Sequence, residues 1–147
     1  MIVIGSDHAG YPLKVEVMQH LKAIGIEYHD VGCYDLSSVD YPLYGQKVAE
    51  EVVSGRYEKG IVICGTGIGI SIAANKVPGA RCALCADVYS ARMTRLHNDA
   101  NILAMGARVI GAGVAEDIVD AFVSTAFEGG RHAKRVDMFT KIEEQYK

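Results

Sequence analysis

Short apolar runs alternate with helical patterns along this chain, and that alternation restricts the fold more than any other feature. MIVIGS at 1–6, GIVIC at 60–64 and a run within 102–110 read as strands. The first run is apolar without interruption, which suits a strand covered on both faces. Between strands, Leu13, Val17, Leu21 and Ile24 recur at helical spacing from Pro12 to Gly25. A weaker strand at 26–31 is followed by irregular chain through Pro42 and a helix over about 43–53. The helix after Gly67 ends near Lys76, with Pro78-Gly79 as its stop signal. Strand 81–86, helix 88–96, strand region 102–110 broken at Gly106, helix 114–127 and a charged terminal helix at 131–147 complete the series. Alternation of this kind builds βαβ units, so the expected architecture is α/β, a roughly five-stranded parallel sheet with helices on both faces.

With 147 residues, half of them hydrophobic, the chain can bury a full core as one domain, 1–147. A net charge of −3 leaves no electrostatic footprint for nucleic acid. No apolar run reaches the roughly 18 residues of a membrane helix. MIVIGSDHAG lacks the basic region and long apolar stretch of a secretory leader. Four cysteines without secretory signs imply reduced thiols and a cytoplasmic setting.

Open α/β sheets bind ligands beyond the carboxyl ends of their strands. The loops there carry Ser6-Asp7-His8-Ala9-Gly10, Cys64-Gly65-Thr66-Gly67 and Asp87, and the fourth long helix ends in His97-Asn98-Asp99. The parallel sheet is expected to bring all of these to one rim. ICGTGIGISIAANK, at 63–76, is the densest of these segments. A dinucleotide site needs G-x-G-x-x-G on the first βα turn and an acid about 20 residues further on, and neither is present. The G-x-x-x-x-G-K-[ST] phosphate loop is also missing. What remains is a turn whose glycines let backbone N–H groups crowd around an anion at a helix start, or a tight turn with no ligand.

Cys64 sits at the end of the strand feeding that turn. A thiol beside several N–H donors and a helix dipole can work as a thiolate, and the same donors would hold an oxyanion. The plain alternative is a small buried hydrophobe. Cys82 and Cys85 have C-x-x-C spacing, but positions three apart on a strand face opposite ways and cannot share a metal. Cys33 lies in a loop, and His20 and His29 read as structural or surface residues. In GGRHAKR, Arg131 and Arg135 are four apart, on one helical face suited to an anionic group or simply to solvent. His8 and His97 sit at loop rims beside Asp7 and Asn98, within reach of a small polar ligand.

Together SDHAG, DYP at 40–42, CGTGIGISIAANK, RLHNDANILAMGARV and EGGRHAKRV resemble the ribose-5-phosphate isomerase B family, which includes the galactose-6-phosphate isomerase subunits. The resemblance runs from the first strand to the terminal helix. It implies a Rossmann-like three-layer sandwich, no metal or other cofactor, and interconversion of aldose and ketose phosphates through an enediol. Under it Cys64 is the general base, Thr66 assists, and the loop around Gly65, Gly67, Ile68 and Gly69 holds the enediolate. His97 becomes the proton donor for ring opening. Asp7, His8, Tyr41, Asn98, Arg108, Arg131 and Arg135 match substrate-binding positions, the last two as phosphate clamps. One branch of the family carries a glutamate base where this chain has Ile70, so Cys64 with Ile70 marks the cysteine branch.

The resemblance further implies a homodimer, or a dimer of dimers, with sites completed by residues of two chains. Ribose 5-phosphate is the expected substrate, and a hexose or tetrose phosphate such as allose or galactose 6-phosphate is the alternative. A domain that only binds sugar phosphates would need no base, so Cys64 with His97 argues against it.

Overall fold

The computed structural model describes residues 1–147. Strands β1 (Ile2–Ser6), β2 (Tyr28–Asp30), β3 (Lys59–Cys64), β4 (Cys82–Leu84) and β5 (Ile102–Gly106) form one sheet. Its order is β2-β1-β3-β5-β4, and every neighbouring pair is parallel. Helices α1 (Tyr11–Ala23), α2 (Tyr41–Val53), α3 (Ile68–Asn75), α4 (Val88–Asn98), α5 (Ala112–Ser124) and α6 (Arg131–Gln145) alternate with the strands and then close the chain.

Alternating strand residues face two separate cores. Ile2, Ile4, Ile61, Ile63, Leu103 and Met105 pack with Leu13, Val17 and Leu21 of α1 and with Ile118, Val119 and Phe122 of α5. Val3, Val62, Cys64, Ile102 and Ala104 pack with Val48, Ala49 and Val52 of α2 and with Ile70 and Ala74 of α3. This is the three-layer doubly wound arrangement expected from the sequence. No helix is long and apolar enough to cross a membrane.

The two edge strands are shorter than the residue pattern suggests. β2 pairs with β1 over three residues, and β4 pairs with β5 over three. An edge strand has one neighbour to hold it, so its ladder stops where that neighbour turns away. The outer edge of β4 is also occupied, because the Asn75 side chain donates to Cys82 O at 2.9 Å and accepts from Cys82 N at 2.8 Å. Helix α2 begins two residues earlier than expected, with Pro42 in its first turn.

Chain order reverses between β1 and β3, which are neighbours in the sheet. At such a switch point the two following loops diverge to opposite faces and leave a crevice between them. Close backbone contact builds that crevice. A Cβ on Gly10 would lie 2.2 Å from Ile63 O, and one on Gly106 would lie 2.5 Å from Thr66 O. Gly10→Ala is therefore expected to cost about 1–3 kcal/mol or more through overpacking, seen as a lower urea midpoint. An unchanged midpoint would show that the first loop can move aside.

Candidate active site

The crevice is lined by loops that begin where β1, β3 and β5 end. In the first, the Asp7 carboxylate accepts Gly10 N–H at 2.8 Å and is 6% exposed, so it closes its own turn. His8 Nδ1 accepts the Val39 N–H at 3.1 Å. A neutral ring that accepts at Nδ1 carries its proton on Nε2, leaving that nitrogen as a donor.

In the β3 loop, Cys64 is 5% exposed and its Sγ accepts the Gly67 N–H at 3.2 Å. Gly67 has φ +79°, and a Cβ there would meet Leu84 and the Met105 backbone at 2.6–2.9 Å, so only glycine can present its amide this way. Thr66 Oγ1 accepts Ile68 N–H at 3.2 Å. The amides of Gly65, Thr66 and Gly69 reach no acceptor in the chain. Cys64 O and Gly65 O receive the amides of Ala107 and Arg108, both at 2.9 Å, which fixes the loop to the end of β5. The Arg108 guanidinium lies 3.5 Å from the place a Gly65 Cβ would take. The Tyr41 ring covers Gly69, with ring atoms 2.5–2.7 Å from where its Cβ would be. Asp7, His8, Tyr41, Cys64, Gly65, Thr66, Gly67, Ile68, Gly69 and Arg108 therefore gather at one rim.

His97, Asn98, Arg131 and Arg135 do not join them, contrary to the single rim expected from the sequence. A helix that follows a parallel strand returns toward the amino ends of the sheet, and the 11 residues of α4 cover roughly 16 Å on the way. The end of α4 is tied there. Arg81, just before β4, donates from Nε to Asp99 O at 2.9 Å, and its N–H reaches the Asn101 carboxamide at 2.7 Å. The start of α6 meets the same end, since Glu128 N–H donates to Leu96 O at 3.2 Å and His132 stacks on His97. Arg131 and Arg135 are exposed and pair with no carboxylate, and the ion pair within α6 is Lys141–Asp137. A cleft of about 320 Å³ at this lower end includes Asn98, Arg81, Phe139 and Glu143. The site residues expected from the sequence thus fall into two groups at opposite ends of the sheet.

The thiols separate as expected. Cys82 packs into the α2–α3 core and Cys85 into the core of α1, α4 and α5. Burial pushes the Cys82 thiol far up and the Cys85 thiol up to about 11, so both stay protonated. His97, Glu128 and His132 place ligand atoms within 4.8 Å of one another. The two imidazoles are stacked with planes 19° apart, so their in-plane lone pairs do not converge on one metal position.

Two residues at these sites escaped the sequence reading. Lys14 is fully buried, and its Nζ bonds Asp30 Oδ1 at 2.6 Å and the Cys33 carbonyl, pinning the chain that leads to Val39. Its signal was a lysine on the apolar face of α1, next to Leu13 and three before Val17. His132 lies between Arg131 and Arg135, in a charged segment where no apolar pattern marks a buried imidazole.

The sequence profile of the ribose/galactose isomerase family matches residues 2–139. This chain belongs to that family. A ribose-5-phosphate isomerase B of Clostridium thermocellum superposes with a TM-score of 0.97 at 58% identity, over 99% of each chain. A ribose 5-phosphate isomerase of Thermotoga maritima gives 0.93 at 48% identity, covering 95% of this chain and 97% of its own. Ribose-5-phosphate isomerase B of Escherichia coli (strain K12) is 48% identical over 144 residues, 98% of this chain and 97% of that one. The family member described here is accordingly an aldose–ketose isomerase.

Burial lowers the pKa of His132 below its ordinary 6.5, helped by His97, Arg131 and Arg135 and opposed by Glu128. The unfolded chain therefore protonates this ring first, and stability falls as pH drops below 6.5. The Tm loss between pH 7.5 and 5.5 is expected to be smaller in His132→Gln than in the native protein. Equal losses would contradict this linkage.

Proposed function

We propose that this isomerase interconverts ribose 5-phosphate and ribulose 5-phosphate in a site assembled from two copies of the chain. The observation that carries the reading is the Cys64 sulfur at the switch-point crevice, beside the Gly65, Thr66 and Gly69 amides that have no partner. A base next to unpaired donors is what proton transfer beside a carbonyl requires.

Ring opening comes first. His97 gives a proton to the ring oxygen as its bond to C1 breaks, and the C1 hydroxyl proton leaves to Asp7 or solvent. Cys64, as thiolate, takes the C2 proton, and the electron pair forms the C1–C2 double bond while O1 becomes negative. The loop amides and Thr66 hold that charge. A proton passes from O2 to O1, and the Cys64 thiol returns its proton to C1, leaving a ketone at C2. Arg131 and Arg135 grip the phosphate, with Asn98, His8, Tyr41 and Arg108 fixing the hydroxyl end, so remote binding energy positions the reacting carbons. No cofactor takes part.

Two copies are needed because the base and the phosphate clamp lie at opposite ends of one chain. In a twofold dimer the upper rim of each copy meets the lower end of the other, giving two sites. Exposed apolar side chains support this pairing. Ile68 and Ile72 stand on α3, Leu84 on the edge strand, and Met138, Phe139 and Ile142 on α6. Two such dimers pairing further would make a tetramer, which light scattering resolves.

Cys64→Ala is expected to lower kcat by about 10³-fold or more while sugar-phosphate binding stays near native. Equal loss of binding would point to a structural cysteine instead. Inactive Cys64→Ala and His97→Ala proteins, unfolded and refolded together, should recover about a quarter of native activity, because half the dimers carry one intact site. No recovery would place both residues in the same copy's site. Among ribose 5-phosphate, allose 6-phosphate and galactose 6-phosphate, the first should have the highest kcat/KM, and a hexose ahead would move the substrate class.

A further inference from the structure

His132 occupies a position that packing alone does not explain. It is 4% exposed, and its Nε2 is buried without a hydrogen-bond partner. The nearest carboxylate oxygen, on Glu128, stands 3.9 Å away, beyond hydrogen-bond length. Leaving a buried polar atom unpaired opposes folding, and such atoms in native proteins call for an explanation. The ring of His132 lies against that of His97, with centroids 4.3 Å apart and planes at 19°. His97 is half-buried in the last turn of α4, and Asn98 after it is exposed.

We propose that His132 is a positioning residue that holds the His97 ring, by stacking, in the orientation from which it protonates the sugar ring oxygen. The proposal rests on the reading of His97 as the ring-opening acid. The neutral state of the platform is part of its action. An acid must carry an extra proton before it gives it up, and a second imidazolium stacked 4.3 Å away would repel that charge. Burial lowers the His132 pKa, with His97 and Arg131 acting in the same sense.

Substrate chemistry separates this role from a merely structural one. Ribose 5-phosphate is a closed furanose and needs the acid. Ribulose 5-phosphate has its O5 esterified and stays open, so exchange of its C1 hydrogen with solvent needs Cys64 and the amides alone. The experiment compares native protein, His132→Ala, His132→Phe and His97→Ala for ribose 5-phosphate turnover and for deuterium entry into ribulose 5-phosphate. His132→Ala should lose about tenfold in kcat on the aldose, with KM within about twofold. His132→Phe, which keeps a neutral stacking ring, should return to within about threefold of native. Deuterium entry should stay near native in both His132 variants. Native aldose turnover in His132→Ala would overturn the proposal, as would equal impairment of the Ala and Phe variants or loss of exchange in both. Full aldose turnover in His97→Ala would overturn the assignment of the acid and the platform with it. Absence of both activities from the native protein would refute the isomerase site altogether.

Discussion

The polarity of an all-parallel sheet governs everything else in this molecule. Every strand ends at the same rim, and each helix that follows a strand carries the chain back to the opposite rim. Residues on βα loops are thereby gathered, and residues at helix ends are sent away from them. Cys64 and the bare amides belong to the first class, while His97 and the paired arginines belong to the second. In the proposed reaction a single copy holds the base without the phosphate clamp at one end and the clamp without the base at the other. Association of two copies then becomes a chemical requirement for the proposed reaction, which gives the exposed apolar surface of α6 a purpose.

Glycine-permitted close approach shapes the upper rim in turn. The first loop passes over the Ile63 carbonyl, and the end of β5 passes under Thr66, each at a distance no side chain allows. These contacts let the β3 loop turn sharply enough for the Gly67 amide to face the Cys64 sulfur. Cys64 is buried and also borders this turn. Its side chain packs with Ile70 and Ala104 in a core, and its sulfur faces a polar turn bordered by the Arg108 guanidinium.

Much of this was legible in the residues. Runs such as MIVIGS and GIVIC, with Pro and Gly marking helix ends, placed every strand and helix to within a few residues. Edge strand β2 was overdrawn because the β-branched Ile26 and Val31 lie beyond the three residues that pair with β1, a tertiary limit that local propensity does not record. The upper-rim half of the candidate site was legible because it lies on loops next to strand ends. The lower half was misplaced because a motif such as RLHNDAN shows proximity along the chain and conceals the direction of the helix that bears it. Lys14 and His132 were missed for a related reason. Each is polar in sequence and buried in space, and only the fold shows what surrounds it.

The most direct test of the two-copy site is a crystal structure of the assembled protein with ribulose 5-phosphate bound. The account predicts the Cys64 sulfur of one copy beside C1 and C2 of the sugar, with its phosphate on Arg131 and Arg135 of the partner subunit. A phosphate held only by groups of the Cys64 rim, with His97 and both arginines turned to solvent, would contradict it.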